Sequence, residues 1–515
     1  MICISIATTN YIDMDTFYLD WMTHPSYWFQ QSDVTDTYLR DTYWDLLDEH
    51  ESEKDNPLAS LIVHDQLIRH IERHCASQHI ILYHLEKALE IHTSMKGKYT
   101  LNCLEWCFWG LPVRHSANAT HICALLKEGW EKLQGAVGTD EDVTYLRKFI
   151  AASYQRMPMN QIAFLSYHVG DRDGRFKKLA PFQKILDYFP EHAPEGGSPL
   201  LESVFSHFLK KQGCGRVLIS LSGGVDSMLC SYILHRLDIP MVALHINYCN
   251  RDDLERTFVK EWCRYLGIPL FIRDLREIQR KPCMEQEMRS IYELYTRNVR
   301  FECYRTLTKN MVILGHNQDD CFENILTNLC HQHKYENLKG MLDVQKVDGV
   351  TFGRPLLDVS KAVIYEEARR IGIPYLKDST PKWSQRGQIR DKVRPALEEW
   401  DARMTGALFQ LANVMQENEL YKAHVVNNLM ERTVYEIGDD AVTQTLTLTL
   451  PELAFGKSVW KAYLKQIGIT IKQKSLDNFM TMFEADKNFK CILSKECQVV
   501  VSRPCVAFIL CNSSE

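Results

Sequence analysis

Long apolar runs are the first feature that this 515-residue sequence lacks. No run approaches the roughly 18 residues that a membrane-spanning helix needs, so the sequence predicts no contact with a membrane. Residues 1–15 also lack the basic start and apolar centre of a secretory signal, and we therefore expect a cytoplasmic protein. A net charge of -6 does not indicate a generally cationic surface, so any surface that binds nucleic acid must be local.

Closely spaced cysteine pairs are also absent, although the chain has 17 cysteines. No CxxC pair occurs, and Cys103 and Cys107 have the four-residue spacing of one helix face. This pattern indicates reduced thiols in a cytosol-like compartment, without a zinc ribbon. We find no internal repeat and no low-complexity tract in the sequence.

One glycine-rich stretch, at residues 222–227, separates a buried apolar strand from an apolar-periodic helix. Glycines at such a joint let the backbone approach a ligand closely, and the N-terminus of the helix behind them favours phosphate. No lysine follows, so the stretch is not the common GxxxxGK[ST] loop. Asp226 is a candidate magnesium ligand. The alternative is a turn whose glycines serve packing only. The motif residues are Ser222, Gly223, Gly224, Val225, Asp226 and Ser227.

Strand and helix patterns alternate after this stretch, which favours an α/β fold with a doubly wound parallel sheet. Ligands of such sheets lie at the carboxyl ends of the strands, where Ser222, His245 and His316 all occur. The strands are predicted at 216–221, 241–246, 270–274 and 311–315, and the helices at 227–237, 253–266 and 286–309.

The rest of the chain divides into a helical part and a small C-terminal part. We predict an all-helical domain at 1–190, the α/β domain at 200–400 and an α+β region at 401–515, which begins with a helix. Residues 191–200 are rich in proline, glycine and serine and are predicted to be a linker. Residues 1–135 resemble a bacterial family of unknown function with a tetratricopeptide-like fold, through His64-Asp65-Gln66 with Arg69 and through Leu111–Ser116. In this part Asp65, Arg69, Arg114 and His115 form either a polar pocket or a buried ion-pair network.

Polar residues follow the later strands of the α/β domain in a fixed order. His245 and Asn247 end the second predicted strand, and His316 begins a segment in which carboxylates share one helical turn. The alternatives are that His245 is a core histidine and that the Asp319–Asp320 pair caps a helix. The further residues of this series are Asp319, Asp320, Glu323, Arg297, Arg300, Arg354, Arg386 and Arg390.

Taken together, these motifs resemble the tRNA(Ile)-lysidine synthetase family of the ATP pyrophosphatase superfamily. That family has SGGxDS, HVNHGLR, HHxDDxxET, RPLL and RNxIR in this order, and the resemblance covers about 200–400. It implies a ligase that adenylates the wobble cytidine of tRNA(Ile) with ATP. Attack by free lysine then forms a carbon–nitrogen bond and releases AMP, the pyrophosphate having left in the first step.

The resemblance also implies roles for the named residues. The 222–227 loop, with His245 and Asn247, binds ATP, and Asp226 holds Mg²⁺. His316, Asp319, Asp320 and Glu323 act in catalysis and lysine binding. Arg297, Arg300, Arg354, Arg386 and Arg390 contact phosphate or tRNA. The C-terminal region at 401–515 is expected to bind substrate tRNA, and a homodimer is a further expectation.

Several positions depart from the family pattern and leave two alternatives open. Tyr248 and Asn317 replace the second histidines of their motifs, and Gly387 replaces an asparagine. One alternative is another adenylating enzyme such as a tRNA thiolase, for which Cys249 and Cys321 are candidates. The other is a non-catalytic protein of the same fold that binds ATP or tRNA.

Overall fold

A computed structural model describes most of the chain. The described residues are 13–28, 32–47, 56–73, 77–135, 140–161, 165–168, 176–249, 253–331, 337–378, 382–437, 443–450, 455–485, 487–494 and 497–511. They form two compact units. The first comprises Met1–Gly315, Val344–Pro355 and Ala362–Asp378, and the second comprises His316–Asp343, Leu356–Lys361 and Ser379–Glu515.

Helices dominate the N-terminal third of the described chain and recur between the strands. In chain order they are α1 Met14–Thr23, α2 Asp33–Tyr43, α3 Pro57–Ile62, α4 Ile68–Ile71, α5 Gln78–Met95, α6 Cys103–His115, α7 Ala119–Gln134, α8 Asp140–Gln155, α9 Pro199–Gln212, α10 Val225–Arg236, α11 Leu254–Leu266, α12 Arg280–Glu285, α13 Arg289–Leu307, α14 Gln318–Cys330, α15 Lys361–Ile371, α16 Gln385–Gln388, α17 Arg394–Trp400, α18 Met404–Glu431, α19 Lys457–Gln466 and α20 Gln473–Glu484.

The strands form one mixed sheet and one antiparallel sheet, with a further short pair. They are β1 Leu165–His168, β2 Leu186–Tyr188, β3 Val217–Ser220, β4 Met241–Asn247, β5 Leu270–Asp274, β6 Met311–Ile313, β7 Val344–Val347, β8 Val350–Gly353, β9 Tyr375–Leu376, β10 Thr433–Ile437, β11 Thr443–Thr449, β12 Phe489–Ser494, β13 Cys497–Ser502 and β14 Cys505–Cys511.

The mixed sheet lies in the first unit and has the order β1-β5-β4-β3-β6-β8-β7. Its five central strands are parallel, whereas β1 and β7 pair antiparallel at the two edges. Residues of β3 are buried as a continuous apolar run, as expected for a strand covered on both faces. The predicted α/β class is therefore confirmed, with antiparallel edges that the sequence pattern did not indicate.

The N-terminal helices and the mixed sheet share one hydrophobic core. This core runs from Phe17 and Trp21 through Phe149 to Tyr295 and Phe352, all of them buried. The ring of Tyr154 on α8 lies 5.0 Å from that of Tyr295 on α13, and its hydroxyl donates to the Glu277 carbonyl at 2.6 Å. Residues 1–190 also contain β1 and β2, so they are not helical throughout.

The segment that was predicted as a linker ends in a well-defined helix start. Ser198 caps α9 by accepting a hydrogen bond from the Leu201 amide, and Pro199 occupies the first turn. At the other end Gly213 adopts a left-handed conformation with φ of 60°, which ends the helix. The Ser-Pro pair that signalled a linker is therefore also a capping signal.

The second unit contains the antiparallel sheet, of order β10-β11-β14-β13-β12. Helices α19 and α20 pack on it through Trp460 and Phe479, whose rings lie 5.2 Å apart in an edge-to-face arrangement. Within the described part of the chain, no helix is long and apolar enough to cross a membrane.

Candidate functional site

The glycine-rich loop joins β3 to the first turn of α10, as predicted. The Ser222 amide donates to the Ser227 hydroxyl oxygen at 3.1 Å, and the Ser227 hydroxyl donates to the Gly224 carbonyl at 3.0 Å. The Gly224 amide in turn donates to the Ser222 hydroxyl oxygen at 3.3 Å. These short-range bonds hold the loop in shape before any ligand binds. The amides at the start of α10, which lack partners within the helix, are the expected donors to a phosphate.

Two glycines make this geometry possible. Gly223 has a φ of 87°, and a Cβ at this position would overlap the side chain of Leu376. The backbone amide of Leu376 donates a hydrogen bond to the Gly223 carbonyl at 2.9 Å. Gly315 follows β6, and a Cβ there would lie 2.8 Å from the Asp226 Cβ. Both positions therefore require glycine because the backbone approaches a neighbour closely.

His245 supports the loop from the neighbouring strand β4. It is buried, and its Nδ1 lies 2.9 Å from the carbonyl oxygen of Leu221, the residue before the loop. Because a carbonyl only accepts, Nδ1 carries the proton of the neutral ring. The Nε2 atom is sealed from solvent and has no hydrogen-bond partner among the described residues. Burial lowers the pKa of His245 below its usual 6.5, which keeps the ring neutral at pH 7.

This buried histidine leads to a pH prediction. His245 resists protonation more strongly in the folded protein than in the unfolded chain. Its contribution to the free energy of unfolding is therefore complete above pH 6.5 and is lost as the pH falls toward the lowered pKa of the folded state. We expect the free energy of unfolding to fall by up to about 1.4 kcal/mol per pH unit for such a group. In the variant His245→Asn, which retains a donor, the fall between pH 6.5 and 5 should be shallower by denaturant titration. An identical pH dependence in both proteins would contradict this account.

Asn247 connects the ends of two strands of the same sheet. Its Nδ2 donates to Asp274 Oδ1 at 2.7 Å, and its Oδ1 accepts from the Cys249 amide at 3.1 Å. Arg256 Nε lies 3.4 Å from the same Asp274 oxygen. Asn247 therefore fixes the carboxyl edge where a nucleotide is expected, and its amide is already engaged within the protein.

The two arginines predicted on α13, Arg297 and Arg300, have different surroundings. Arg297 forms an ion pair with Asp348 at 2.9 Å, and its guanidinium lies 4.3 Å from the Phe301 ring centroid. Arg300 has a sealed Nε without a partner among the described residues. It lies near Tyr304, whose hydroxyl is 2.9 Å from that of Ser220 at the end of β3. Arg300 is therefore the better candidate for a phosphate contact.

The remaining predicted residues lie in the second unit, except for Arg354. Arg354 is buried in the first unit, and its guanidinium lies 5.8 Å from the Phe352 ring.

In the second unit Asn317 caps α14. Its side chain accepts from the amides of Asp319 and Asp320, and the Asp320 carboxylate accepts from the Asn317 amide at 3.1 Å. This capping box gives the Asp320 position a structural role beside any chemical one.

Arginines approach two of the three predicted carboxylates that lie in the second unit. Glu323 is buried, and its Oε1 lies 2.7 Å from Arg390 Nη2, while Arg386 Nε lies 3.6 Å from Oε2. Burial raises the pKa of Glu323 above its usual value, and Arg390 opposes that shift. Asp319 Oδ2 lies 2.8 Å from Arg394 Nη1. Asp320 has no ion pair with any described residue.

Some supporting residues were missed in the sequence. Arg394 was not assigned a site role, although it pairs with Asp319. Leu376, Tyr304 and Asp274 support the loop and the strand ends from distant parts of the chain. Only Asp274 gave a usable signal, because an acidic residue at the end of a predicted strand falls on the ligand edge of the sheet.

A magnesium ion is consistent with the residues at the loop. Mg²⁺ is usually bound by one or two carboxylates together with substrate phosphates. Asp226 supplies one carboxylate in the first turn of α10. Such an ion, when bound with ATP, would neutralise charge on the phosphates.

Comparison with known proteins agrees with this geometry. Residues 199–397 match the family described as the PP-loop domain. The chain contains a PP-loop domain. The tRNA(Ile)-lysidine synthase of Chlamydia muridarum is 33% identical over 207 residues, which are 39% of this chain and 62% of that protein. That of Oceanobacillus iheyensis is 26% identical over 250 residues, 46% of this chain and 52% of that protein.

This chain therefore spans between about half and three fifths of the length of these two relatives. The ATP-binding domain and the likeness to tRNA(Ile)-lysidine synthases confirm the predicted resemblance for the PP-loop part of the chain. Among solved structures, the U34-tRNA thiolase NcsA of Methanococcus maripaludis aligns with a TM-score of 0.36 and 16% identity. The alignment covers 42% of this chain and 79% of that one.

Proposed function

We propose that this protein is an ATP-dependent tRNA-modifying ligase that adenylates the wobble cytidine of tRNA(Ile) and attaches lysine. The observation that carries the proposal is the SGGVDS loop, held between β3 and α10 by its own hydrogen bonds, within the segment that resembles lysidine synthases. In the first step the cytidine oxygen attacks the α-phosphorus of ATP and pyrophosphate leaves. In the second step the lysine amine displaces AMP.

The loop acts on the leaving group in the first step. Pyrophosphate gains negative charge as it departs, and the amides at the start of α10 with the Ser222 hydroxyl stabilise that charge. Asp226 would hold Mg²⁺, which would supply further neutralisation of the phosphate charge. The neutral His245 maintains the loop through Leu221 rather than by contact with phosphate. Arg300, whose Nε has no hydrogen-bond partner among the described residues, supplies a cation.

Asp320 is our candidate for the contact with the lysine ammonium. Glu323 and Asp319 are neutralised by Arg390 and Arg394, and an arginine-paired carboxylate attracts a second cation weakly. Asp320 lies in the first turn of α14 without an arginine partner among the described residues. The amine must lose a proton before it attacks, and a carboxylate is a suitable acceptor once the site excludes water.

The roles of the carboxylates can be separated by substitution. We expect Asp320→Asn to raise the KM for lysine at least about 10-fold while ATP-dependent pyrophosphate release changes little, because the lost contact involves a full charge. The matched control is Asp319→Asn, which removes an equivalent charge from the same helical turn. Equal losses for lysine and ATP in the Asp320 variant would rule out a specific lysine role.

The C-terminal region is our candidate for the contact with tRNA. Helices α19 and α20 and the segment between them carry exposed lysines, of which Lys457 is paired with Asp477. Lysines on one surface bind backbone phosphates in a salt-dependent way. The others in this set are Lys461, Lys465, Lys472 and Lys474.

A thiolase is the second candidate, and the environments of two cysteines weigh against it. A sulfur carrier needs a thiolate, but burial raises the pKa of the Cys249 thiol above its usual value. Cys321 is fully buried in a small apolar cluster with Met341 and Leu357. Cys321 therefore lacks the accessible surroundings of a reactive cysteine, whereas Cys249 is exposed near Arg276 and weighs against a thiolase only through its raised pKa.

The dependence of pyrophosphate release on tRNA tests the proposal. With ATP and magnesium, we expect release to require a tRNA(Ile) transcript with a CAU anticodon. The matched control is the same transcript with uridine in place of the wobble cytidine, which removes the reacting base. Equal release with both transcripts, or none with either, would contradict the proposed substrate.

A further inference from the structure

A large cavity in the first unit has no part in the reaction proposed above. Its volume is about 980 Å³, at the upper end of the range in which proteins bind small ligands. Helix α7, the start of β1, the carboxyl end of β5 and the segment after β5 surround it. None of the described residues that line it belongs to the 222–227 loop. Strand β5 is two strands away from β3, a distance of about 10 Å.

One wall of the cavity is held in place by hydrogen bonds. Trp130 of α7 lines the cavity, and its Nε1 donates to the Tyr154 hydroxyl oxygen at 2.9 Å. The Tyr154 hydroxyl donates in turn to the Glu277 carbonyl at 2.6 Å. The Glu277 carboxylate accepts from the Tyr295 hydroxyl at 3.0 Å and pairs with Arg273. Because these groups satisfy one another, the indole is fixed before any ligand binds.

The rim of the cavity carries polar side chains that remain available to a ligand. Lys127, Glu131 and Gln134 are exposed and lie on one face of α7, since they are four and three residues apart. Arg276 and Gln279 are exposed in the segment after β5. Among the described residues, Lys127, Glu131 and Arg276 have no ion-pair partner. Arg276 lies beside the thiol of the exposed residue that follows Tyr248.

The charged groups of the lining fall into an engaged set and an available set. Six charged residues line the cavity, three of each sign. Three of them are engaged within the protein, because Arg273 pairs with Glu277 and Asp274 accepts from Asn247. The two cations and the one carboxylate that remain are those of the rim. The available groups therefore suit a ligand that has both a negative charge and hydrogen-bond donors.

We propose that this cavity binds an unpaired nucleotide. The Trp130 indole offers a face on which any base can stack, and Lys127 and Arg276 supply cations for a phosphate. A carboxylate accepts from the amino group of a cytosine, and a glutamine amide both donates and accepts, so the rim matches the edge of a base. The nucleotide is either part of an RNA chain or a free mononucleotide.

The RNA source rests on the proposed function, because it is the anticodon loop of the substrate tRNA. Asp274 lines the cavity and also accepts from Asn247 at the carboxyl edge of the sheet. The cavity therefore adjoins the edge at which ATP and the wobble cytidine are expected to meet. A second nucleotide of the same loop would occupy it. The N-terminal helices would then take part in substrate binding, because α7 supplies Lys127 and Trp130.

Equilibrium binding of a tRNA(Ile) transcript with a CAU anticodon tests the proposal, with a saturating non-hydrolysable ATP analogue in the PP-loop. We expect Trp130→Leu to weaken binding about 5-fold or more, since the stacking of one base is lost. The double variant Lys127→Gln with Arg276→Gln should weaken binding and make it less dependent on salt. Both of its positions are exposed, so this variant tests the cavity even if Trp130→Leu fails to fold. Lys98→Gln, an exposed cation outside the cavity, is the control and should bind as the wild type does.

Cytidine monophosphate, titrated under the same conditions, separates the two sources. Loss of tRNA binding in the cavity variants, without binding of cytidine monophosphate to the wild type, identifies a nucleotide of the RNA chain. Binding of cytidine monophosphate that the same variants lose, with tRNA binding unchanged, identifies a free mononucleotide. Equal binding of each ligand by all the proteins would overturn the proposal, as would a wild type that binds neither.

The assay measures binding and not modification, so it can fail or succeed apart from the proposed function. A wild type that binds tRNA through the cavity and transfers no lysine would refute the ligase reaction and would support the cavity assignment. Lysine transfer by the wild type, with tRNA binding unaffected in every cavity variant and no binding of cytidine monophosphate, would support the ligase and overturn the cavity assignment.

Discussion

Substitution of Asp226 by asparagine is expected to lower pyrophosphate release by about 100-fold or more, while the fold is retained. Asp226 lies in the first turn of α10, behind the glycines of the loop. Losing its charge weakens the hold on Mg²⁺ and with it the neutralisation of the departing pyrophosphate, a loss comparable to that of one preorganised charge-stabilising group. The measurement is the steady-state release of pyrophosphate with saturating ATP and tRNA.

A fitting control for this variant is Asp238→Asn, which changes an acidic residue just beyond the other end of the same helix. Asp238 lies in the turn after α10 and donates its amide to His235. It should leave turnover unchanged. If Asp226→Asn retained full turnover with bound magnesium, Asp226 would have no role in the site.

The second large effect is expected from Gly223→Ala. The added methyl would overlap Leu376 in a backbone region, φ of 87°, that side chains seldom adopt. The loop would have to move away from the end of β9, and its backbone amides would no longer be oriented to donate hydrogen bonds to the phosphates. We expect affinity for ATP to fall at least about 10-fold, since several phosphate contacts weaken together. Equilibrium binding of ATP measures this.

A matched glycine separates strain from the collision with Leu376. Gly349 has a φ of 81° in the β7–β8 turn, and a Cβ there meets nothing within 4 Å. Gly349→Ala carries the same backbone strain and should leave ATP affinity unchanged. The double variant Gly223→Ala with Leu376→Ala relieves the collision and should recover part of the affinity. Equal losses in Gly223→Ala and Gly349→Ala would attribute the effect to general destabilisation.

Much of the mixed sheet follows from the sequence because its central strands are short continuous apolar runs. The strands predicted at 241–246 and 270–274 correspond to β4 Met241–Asn247 and β5 Leu270–Asp274. The edge strand β1 was missed, since Leu165–His168 is short and polar at alternate positions. Its partner β5 lies about a hundred residues further along the chain, and a pairing over that distance leaves no local pattern.

In the site, as in the sheet, features set by neighbouring residues were predicted from the sequence, and contacts between distant residues were not. The strand–loop–helix order located Ser222–Ser227, because motif and geometry are both local there. The pairing of Glu323 with Arg390 depends on side chains 67 residues apart, and the sequence assigned the two residues to separate roles. Site roles, domain boundaries at 190, 200 and 400, and a homodimer stay predictions.

The most direct test is the transfer of labelled lysine to tRNA. The purified chain is incubated with ATP, magnesium, labelled lysine and a tRNA(Ile) transcript with a CAU anticodon, and pyrophosphate and tRNA-bound label are followed together. The account predicts equal amounts of both, and neither in Asp226→Asn. Pyrophosphate release without label in the tRNA would contradict lysine as the nucleophile, and the absence of both from folded protein with bound tRNA would contradict a ligase.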